Sequence, residues 1–501
     1  MTFKEIKNSY TFLFLVILSI YAAYTAPFLS SGLKSDDAHG VINCVNNLVN
    51  HGTYATSRPP GHPSSEIYLF LPLSLFLKIA FNKPFDWFIY NSIQYIGGIF
   101  TLLIFFILMK KLTADRLRLA FATLTLALST GYLCNSIDGG EFIFAMGCLL
   151  AAIYLVIKPP AIAAKGNSSI WVPILLALGT GFRPELIFSI ACFYAVLFYL
   201  QPHKNAFIKN LFLQLIFILL VWLPVLWGDG GLQPPFTLEQ NFLSRFVSAT
   251  YKFLFSAFSL PVFIVLCFIL FNGVRKLYND HQFLQFSNLF SLYLSIAIIV
   301  INFASIFYYP AKTDFFLITL PFFIILASIF DSACWLTLLL VTTLISTVVT
   351  VDVLDNRKFV GPIIKKSYYR TFLSNKPKYK LEYLLSVYSR TFEGEKIIVI
   401  LDCWGWDLDY NINERNQLIP LQIQKEMDHN KRVYKKMGTG KPEIFLPGEG
   451  LNDLALLKLY AGEGYKIFAD RIVLKRRLFR HQILQELPDE IKLSGVTVHL
   501  F

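Results

Sequence analysis

The stretch Lys34–Pro63, KSDDAHGVINCVNNLVNHGTYATSRPPGHP, decides how the rest of the chain is interpreted. It begins with two adjacent carboxylates, Asp36 and Asp37, and ends with Arg58 in a turn that proline stiffens. Between them, apolar residues recur with a helical period, which predicts a helix lying on a membrane surface. These residues are Val41, Ile42, Val45, Leu48 and Val49. A polar loop of this kind favours chemistry, although a solvated linker whose acids cap the helix is the alternative.

The composition indicates a membrane protein. Apolar residues make up 55% of the 501 residues, charged residues only 16%, and there are 48 phenylalanines. A transmembrane helix needs roughly 20 mostly apolar residues, and we find eleven uncharged runs of about that length. The runs are Tyr10–Phe28, Trp87–Met109, Leu119–Ile137, Phe142–Ile157, Gly166–Phe182, Leu186–Leu200, Leu211–Trp227, Phe253–Phe271, Phe283–Tyr309, Phe315–Phe330 and Ser332–Val351. The shorter run Ile67–Leu77 contains Pro72, and we predict that it lies on the membrane or partly in it.

The basic residues of the short loops predict the orientation of the chain. They favour an N-terminus inside the cell, which places the loop of residues 30–86 outside. An odd number of spans then places the C-terminus outside as well. The first span is too long for a cleaved signal peptide, so we expect it to remain as an anchor. The segments predicted to lie outside contain no N-x-[S/T] sequon, which favours a bacterial inner (plasma) membrane.

The net charge of +12 does not predict a nucleic-acid partner, because acidic and basic residues are interspersed rather than clustered. A basic chain anchored in a lipid bilayer is more consistent with anionic head groups or phosphates as partners.

Two further turns predicted to lie outside carry charged residues. One holds Asp138 and Glu141, and the next holds Arg183 and Glu185. Charges in tight turns between spans are costly unless they are paired or used. Ordinary interfacial acids, or an ion pair of Arg183 with Glu185 or Asp138, are the alternatives.

Three cations, Arg58, Arg183 and Lys312, lie in separate turns on the same predicted face. They could converge on one anionic group of a substrate. Each of them alone is equally consistent with a side chain that reaches to the membrane interface.

From Val353 the apolar spans cease and the charge rises, which divides the chain into a membrane domain of residues 1–352 and a soluble domain of residues 353–501. We predict strands at Lys396–Leu401, Glu443–Leu446, Lys466–Ala469 and Val496–Leu500, and helices at Glu414–Met437 and Leu451–Tyr460. The predicted fold is therefore a polytopic α-helical membrane protein with a small C-terminal α/β domain.

A carboxylate and several cations in one outside cavity suit a sugar donor that is linked to a lipid phosphate. The carboxylate would take the proton from an acceptor hydroxyl, and the cations would stabilise the departing phosphate. One base without a second nucleophilic carboxylate implies inversion at the anomeric carbon. No cofactor is needed for this chemistry. A divalent metal is conceivable because His39, His51 and His62 share the loop with the acids, but their spacing fits no local ligand motif.

The chain resembles a known family in four features. They are the acid pair after the first span, the motif Tyr54-x-x-x-Arg58-Pro59-Pro60-Gly61-His62-Pro63, the Asp138/Glu141 turn, and Tyr309-Pro310-Ala311-Lys312 before a span that contains Pro321. In these features it resembles the membrane glycosyltransferases of the GT-C fold, especially the polyprenyl-phosphate-sugar-dependent branch. That branch includes protein mannosyltransferases and lipid A aminoarabinose transferases. The resemblance covers roughly residues 1–330.

The resemblance implies roles for particular residues. Asp36 or Asp37 would be the catalytic base, Arg58 would contact the donor phosphate, and Asp138 matches the acid of the family's second outside loop. Independently of the resemblance, Arg183 and Lys312 are expected to join Arg58 at the phosphate because they lie on the same predicted face. The residues expected to support the donor or acceptor site are His39, His62, Asp138, Glu141 and Glu185. The family often has Asp-Glu in place of Asp36-Asp37 and Lys in place of Arg58, and the C-terminal domain has no counterpart in it.

Two other functions remain open from the sequence. A transporter or flippase of a lipid-linked or anionic substrate would also need charged residues inside the membrane, although the chain shows no inverted repeat. A non-catalytic scaffold of envelope assembly would tolerate the loss of Asp36 or Asp37.

Overall fold

The computed structural model describes most of the first 355 residues and parts of the remainder. The described residues are 10–29, 36–52, 54, 56–57, 61–83, 85–113, 115–138, 141–157, 170–200, 204–227, 261–269, 271, 286–308, 317–330, 333–355, 358–366, 396–401, 423–428, 431–436, 443–447, 453–469, 490–493 and 495–500. The chain forms two compact units, Met1–Asn375 and Lys376–Phe501.

The first unit is built from α-helices, as its apolar runs predict. They are α1 (Tyr10–Leu29), α2 (Asp36–His51), α3 (Leu71–Phe81), α4 (Trp87–Leu112), α5 (Arg116–Leu128), α6 (Thr130–Asp138), α7 (Phe142–Ile157), α8 (Trp171–Phe182), α9 (Leu186–Leu200), α10 (Lys204–Trp227), α11 (Phe286–Tyr308), α12 (Leu320–Phe330) and α13 (Ala333–Val348). Residues 261–269 are helical as well. A π-helical segment, Ser64–Phe70, runs directly into α3.

Within the described residues, five helical segments are long and apolar enough to cross a membrane, or six if the bent pair α5–α6 forms one span. The five are Tyr10–Pro27, Ser64–Phe81, Trp87–Leu112, Phe207–Trp227 and Phe286–Ala304. Shorter apolar helices are Phe142–Ile157, Trp171–Phe182, Leu186–Leu200, Leu317–Ile329 and Cys334–Val348. The predicted helical membrane protein is confirmed at this level, and the total of eleven spans stays a prediction.

Two local differences from the sequence analysis have clear causes. Ser64–Phe81 is continuous because Pro72 falls in the first turn of α3, where proline is tolerated. The run that was predicted as one span, Leu119–Ile137, is bent by 58° between α5 and α6. Its backbone leaves the helix at Ser129, whose own hydroxyl donates to the carbonyl of Leu126 at 2.9 Å.

Helices α4 and α7 pack closely against each other. Gly97 lies against the ring of Phe144, and Gly147 lies against Thr101, whose hydroxyl donates to the carbonyl of Ile143 at 3.1 Å. Small residues at such a crossing let two backbones approach. Residues further along α4 contact residues further along α7, so the two helices run in the same direction.

After α13 the first unit contains an antiparallel hairpin, β1 (Val349–Asp355) and β2 (Lys358–Lys366). The predicted domain boundary after residue 352 therefore falls within this hairpin, and the compact units divide further along, after Asn375.

The second unit contains one sheet with the strand order β4-β5-β6-β3-β7-β9-β8. The strands are β3 (Ile397–Leu401), β4 (Ile423–Asp428), β5 (Lys431–Lys436), β6 (Glu443–Pro447), β7 (Lys466–Ala469), β8 (Glu490–Leu493) and β9 (Val496–Leu500), with helix α14 (Leu454–Gly462) between β6 and β7. The four central strands are parallel and pair through buried apolar residues, whereas the flanking strands are antiparallel. The α/β character and the four predicted strands are confirmed.

The helix predicted at Glu414–Met437 is wrong where the structure describes it. Strands β4 and β5 form an antiparallel hairpin there, closed by the pair Asp428↔Lys431. Only two residues join the strands, and Val433 and Tyr434 are types that favour extended structure. The dense charge belongs to the edge of a sheet, where charged side chains prevent further strand pairing.

Candidate functional site

Glu66 is a fully buried carboxylate at which the first loop is anchored. Its Oε2 accepts a hydrogen bond from the Tyr54 hydroxyl at 2.5 Å, and its Oε1 accepts one from the backbone N–H of Ser57 at 3.1 Å and another from the Ser57 hydroxyl. Three donors around one carboxyl group offset the cost of burying it. Ser57 directly precedes Arg58 in the sequence. Glu66 therefore holds the chain one residue before Arg58, which is predicted to bind the donor phosphate.

The π-helical segment that carries Glu66 is held against its neighbours by close contacts. The Ser64 hydroxyl donates to the carbonyl of Leu178 at 2.8 Å, and Gly181 of α8 has no room for a side chain beside Ser64. Just before the segment, Gly61 has a φ of 110°, which only glycine adopts readily, and it lies against Val225 of α10. π-Helical turns are rare and occur frequently at functional sites.

Helix α2 packs on the same loop. The predicted amphipathic helix is confirmed. Its apolar residues Val41, Ile42 and Val45 are fully buried. The helix contacts the π segment, α3 and α4. Gly40 lies against Ser57, because a Cβ added there would be 3.1 Å from the Ser57 carbonyl oxygen. The helix that begins with the acid pair is thus part of the same assembly as Glu66.

Two ionisable side chains beside Glu66 stay protonated at neutral pH. Burial, and then the nearby Glu66 carboxylate, raise the pKa of the Tyr54 hydroxyl and of the Cys44 thiol well above their ordinary values. Tyr54 therefore acts as a hydrogen-bond donor to Glu66. The same shift keeps Cys44 in the thiol form, which is unsuited to nucleophilic chemistry.

His62, Glu141 and Arg183 form a buried charged cluster. The Oε2 atom of Glu141 lies 3.9 Å from Arg183 Nε and 4.0 Å from His62 Nδ1. His62 Nδ1 is also 2.7 Å from the carbonyl oxygen of Phe182, which can only accept, so Nδ1 carries the proton. The Arg183 guanidinium carbon lies 3.5 Å from the centre of the Phe142 ring, a cation–π contact. The Glu141 carboxyl group thus lies within 4.0 Å of both neighbouring side chains.

The charged cluster brings together three connections between helices. His62 belongs to the loop after α1, Glu141 to the turn between α6 and α7, and Arg183 to the turn between α8 and α9. The sequence analysis placed these three connections on one face of the membrane, and the structure places them at one end of the helix bundle. The ion pair of Arg183 with Glu141 was not among the predicted alternatives. Glu185 is half-buried, two residues further along the turn.

The other predicted site residues can be placed only in part. The structure describes the backbone, but not the side chains, of the residues in the first turn of α2 and at the end of α6, which are Asp36, Asp37, His39 and Asp138. Arg58 and Lys312 lie outside the described residues. The structure therefore unites His62, Glu141 and Arg183 and adds Glu66. The sequence analysis did not single out Glu66.

The predicted alternative of a metal site gains no support from the described part of the chain, where no group of three His, Cys, Asp or Glu side chains could hold an ion. His39 and His51, which the sequence analysis considered as ligands, have side chains outside that part.

The Glu66 contacts predict a graded loss of stability. Glu66→Leu leaves the partly buried N–H of Ser57 and the Tyr54 hydroxyl without their acceptor, so we expect a loss of about 2–3 kcal/mol. Glu66→Gln can keep its carbonyl oxygen on Ser57 and donate to the Tyr54 oxygen, and its loss should be about 1 kcal/mol. Thermal unfolding of the purified variants measures both effects. Equal stability of Glu66→Leu and the wild type would contradict the anchoring role.

Comparison with known proteins identifies no relative of this chain. No family model matches it, and neither a curated protein nor a solved structure does.

Proposed function

We propose that the protein transfers a sugar from a polyprenyl-phosphate donor to an acceptor hydroxyl, with inversion, on the extracytoplasmic face of the membrane. The observation that carries the proposal is the charged cluster of His62, Glu141 and Arg183 at one end of an apolar helix bundle. The loop anchored by Glu66 leads from the acid pair to Arg58 and on to this cluster. Buried charges at the end of an apolar helix bundle are expensive, which favours a role in binding or chemistry.

The cluster suits the phosphate of a lipid-linked donor. A polyprenyl chain would lie among the apolar helices, and its phosphate would then reach the level of the charged side chains. Arg183 offers a planar guanidinium whose orientation is set by Glu141 and by the Phe142 ring. Arg58 and Lys312 are the further cations that we assign to the phosphate, Arg58 from the resemblance to GT-C enzymes and Lys312 from its place on the same predicted face.

The proposed reaction needs one base and a stabilised leaving group. The carboxylate of Asp36 or Asp37 takes the proton of the acceptor hydroxyl as its oxygen attacks the anomeric carbon. The bond between that carbon and the phosphate oxygen breaks, and the polyprenyl phosphate leaves with the electron pair, stabilised by the cations. Attack from the opposite face inverts the anomeric carbon. His62, Glu141, Asp138, Glu185 and His39 are assigned supporting roles in the donor or acceptor site.

The cellular setting belongs to the same proposal. We place the protein in a bacterial inner membrane, with its site and its second unit outside the cytoplasm. The acceptor would be a glycan, lipid or protein of the cell envelope. Activated nucleotide sugars are confined to the cytoplasm, so a lipid carrier is the donor that reaches this side.

A transporter or flippase for a lipid-linked substrate is the second candidate. The 58° bend between α5 and α6 favours it, because broken helices are characteristic of transporter binding sites. The π-helical segment before α3 is a second interruption of regular helix. Both interruptions are equally consistent with a substrate cavity in an enzyme.

One experiment separates the two functions. The purified full chain is reconstituted in liposomes with a polyprenyl-phosphate hexose labelled in its sugar, and membranes from a strain that lacks the protein supply the acceptor. A transferase moves the label into material that is no longer extractable as donor lipid. Movement of the intact labelled lipid between leaflets without any new glycoside would contradict transfer and establish the transporter.

The proposed orientation predicts the labelling of two engineered cysteines. Asn47 is exposed on α2, and Lys111 is exposed at the opposite end of α4. We expect Asn47→Cys to react with a membrane-impermeant maleimide in intact cells, and Lys111→Cys to react only after lysis. The reverse pattern would place the charged cluster on the cytoplasmic side, where nucleotide sugars are available.

A further inference from the structure

Two amide side chains on α4 are buried without a complete set of hydrogen bonds. Asn91 and Gln94 are both fully buried within a 26-residue apolar helix. Among the residues that the structure describes, neither polar atom of the Asn91 amide has a hydrogen-bond partner, and the Gln94 Oε1 has none. The Gln94 Nε2 donates to the Tyr90 hydroxyl at 3.0 Å. Unsatisfied polar groups in such a helix destabilise the protein, so their presence indicates a use.

The packing of α4 against α7 gives the level of these amides. Gly97 lies against Phe144, and the two helices run in the same direction. Gln94 precedes Gly97 by three residues, as Glu141 precedes Phe144 by three. Gln94 therefore lies at the level of Glu141 in the charged cluster, on the face of α4 that it shares with Gly97.

Asn91 lies one turn further toward the same end of the bundle. It shares a helix face with Tyr95 and Gly98, at spacings of four and seven residues. Tyr95 stacks on Tyr21 of α1, and Gly98 lies against Ser136 of α6. The face of Asn91 is thus directed toward α1 and α6, whose ends flank the loop with the acid pair and the turn with Glu141.

We propose that Asn91 and Gln94 form a subsite that binds the sugar hydroxyl groups of the donor, beside the charged cluster that binds its phosphate. This inference rests on the proposed function. A primary amide both donates and accepts, which matches a hydroxyl group that does the same, and neither amide carries a charge that would compete for the phosphate. The bound hydroxyls would supply the hydrogen bonds that Asn91 and Gln94 lack within the described chain.

The test uses apolar replacements of similar size, Asn91→Leu and Gln94→Met, in the purified full chain. Gln214→Met is the matched control, because Gln214 is equally buried on α10 but has a hydrogen bond with the Tyr194 hydroxyl at 3.2 Å. The affinities for undecaprenyl phosphate and for undecaprenyl-phosphate hexose are measured in the same detergent. Thermal unfolding is measured on each variant without lipid.

We expect Asn91→Leu and Gln94→Met each to weaken binding of the hexose-bearing lipid by about tenfold. Binding of the sugar-free lipid should not change. Their melting temperatures without lipid should equal or exceed that of the wild type, since an apolar side chain replaces an amide that lacks hydrogen bonds. Gln214→Met should melt at a lower temperature and keep the wild-type preference for the hexose-bearing lipid.

Two outcomes overturn the subsite alone. One is unchanged binding of both lipids by the two variants, and the other is a fall in melting temperature like that of Gln214→Met, which would show that the amides have partners within the chain. If the wild type binds neither lipid, the donor class proposed for the enzyme fails, and the subsite fails with it. If the wild type binds both lipids with equal affinity, the phosphate site is supported and the sugar subsite is contradicted.

Discussion

Asp36→Asn is expected to lower sugar transfer by about 10²–10⁴-fold while the protein still folds and binds its donor. Asparagine keeps the shape of aspartate but cannot accept a proton. The neighbouring variant Asp37→Asn should be mild. Both residues lie in the first turn of α2, where successive side chains point about 100° apart, so only one of them can face the donor. The other is placed to stabilise the helix N-terminus, where its loss costs about 1 kcal/mol.

Single-turnover transfer from a labelled polyprenyl-phosphate hexose measures the chemical step, and binding of the same lipid measures the donor site. A severe Asp37→Asn and a mild Asp36→Asn would exchange the roles of the two residues. Full transfer by both single variants would remove the acid pair from the mechanism. A transporter would yield no glycosyl product in any of them.

Arg183→Met is expected to destabilise the protein by about 3–5 kcal/mol, because it removes one partner of a buried ion pair. Glu141 would then lie beside His62 and the repelling Glu66 carboxyl group without its guanidinium partner. The double variant Arg183→Met/Glu141→Gln removes both charges and should recover most of the lost stability. It should still fail to use the donor, which separates the structural role of the pair from phosphate binding.

The pair Asp115–Arg118 is the control for this experiment. Its atoms approach to 3.5 Å, closer than those of Arg183 and Glu141, but both side chains are partly exposed. Arg118→Met should therefore cost less than about 1 kcal/mol. Unfolding in a denaturing detergent compares all three variants with the wild type. A similar loss for Arg118→Met and Arg183→Met would contradict the importance of burial.

The sequence was sufficient to predict a mostly helical, apolar fold with a few C-terminal strands, and it singled out three residues that the structure brings together. Long apolar runs predict membrane helices because length and hydropathy are local properties, and the order of these runs placed His62, Glu141 and Arg183 on one face. The ion pair itself was not predictable, since Glu141 precedes Arg183 by 42 residues and the pairing depends on how the helices pack. Glu66 was missed because a single acid beside an apolar run has the same pattern as any interfacial residue.

Other errors have similar physical origins. The charged stretch that forms β4 and β5 contains helix-forming residues, but the two strands pair with each other and β5 pairs with β6. Asn91 and Gln94 were included in an uncharged run because hydropathy averages over all faces of a helix. Their burial without partners is visible only once the neighbouring helices are in place.

The hydrogen bond from the Leu71 N–H to the Glu66 carbonyl closes a turn that contains one residue more than an α-helical turn. Deleting Ile67 would place Leu71 four residues after Glu66, so the same hydrogen bond would close an ordinary α-helical turn. Because the π turn absorbs the extra residue locally, Glu66 would keep its direction relative to α3, and with it the hydrogen bonds to Tyr54 and Ser57. The segment therefore accommodates one additional residue without changing the phase between the anchored loop and the helix that follows.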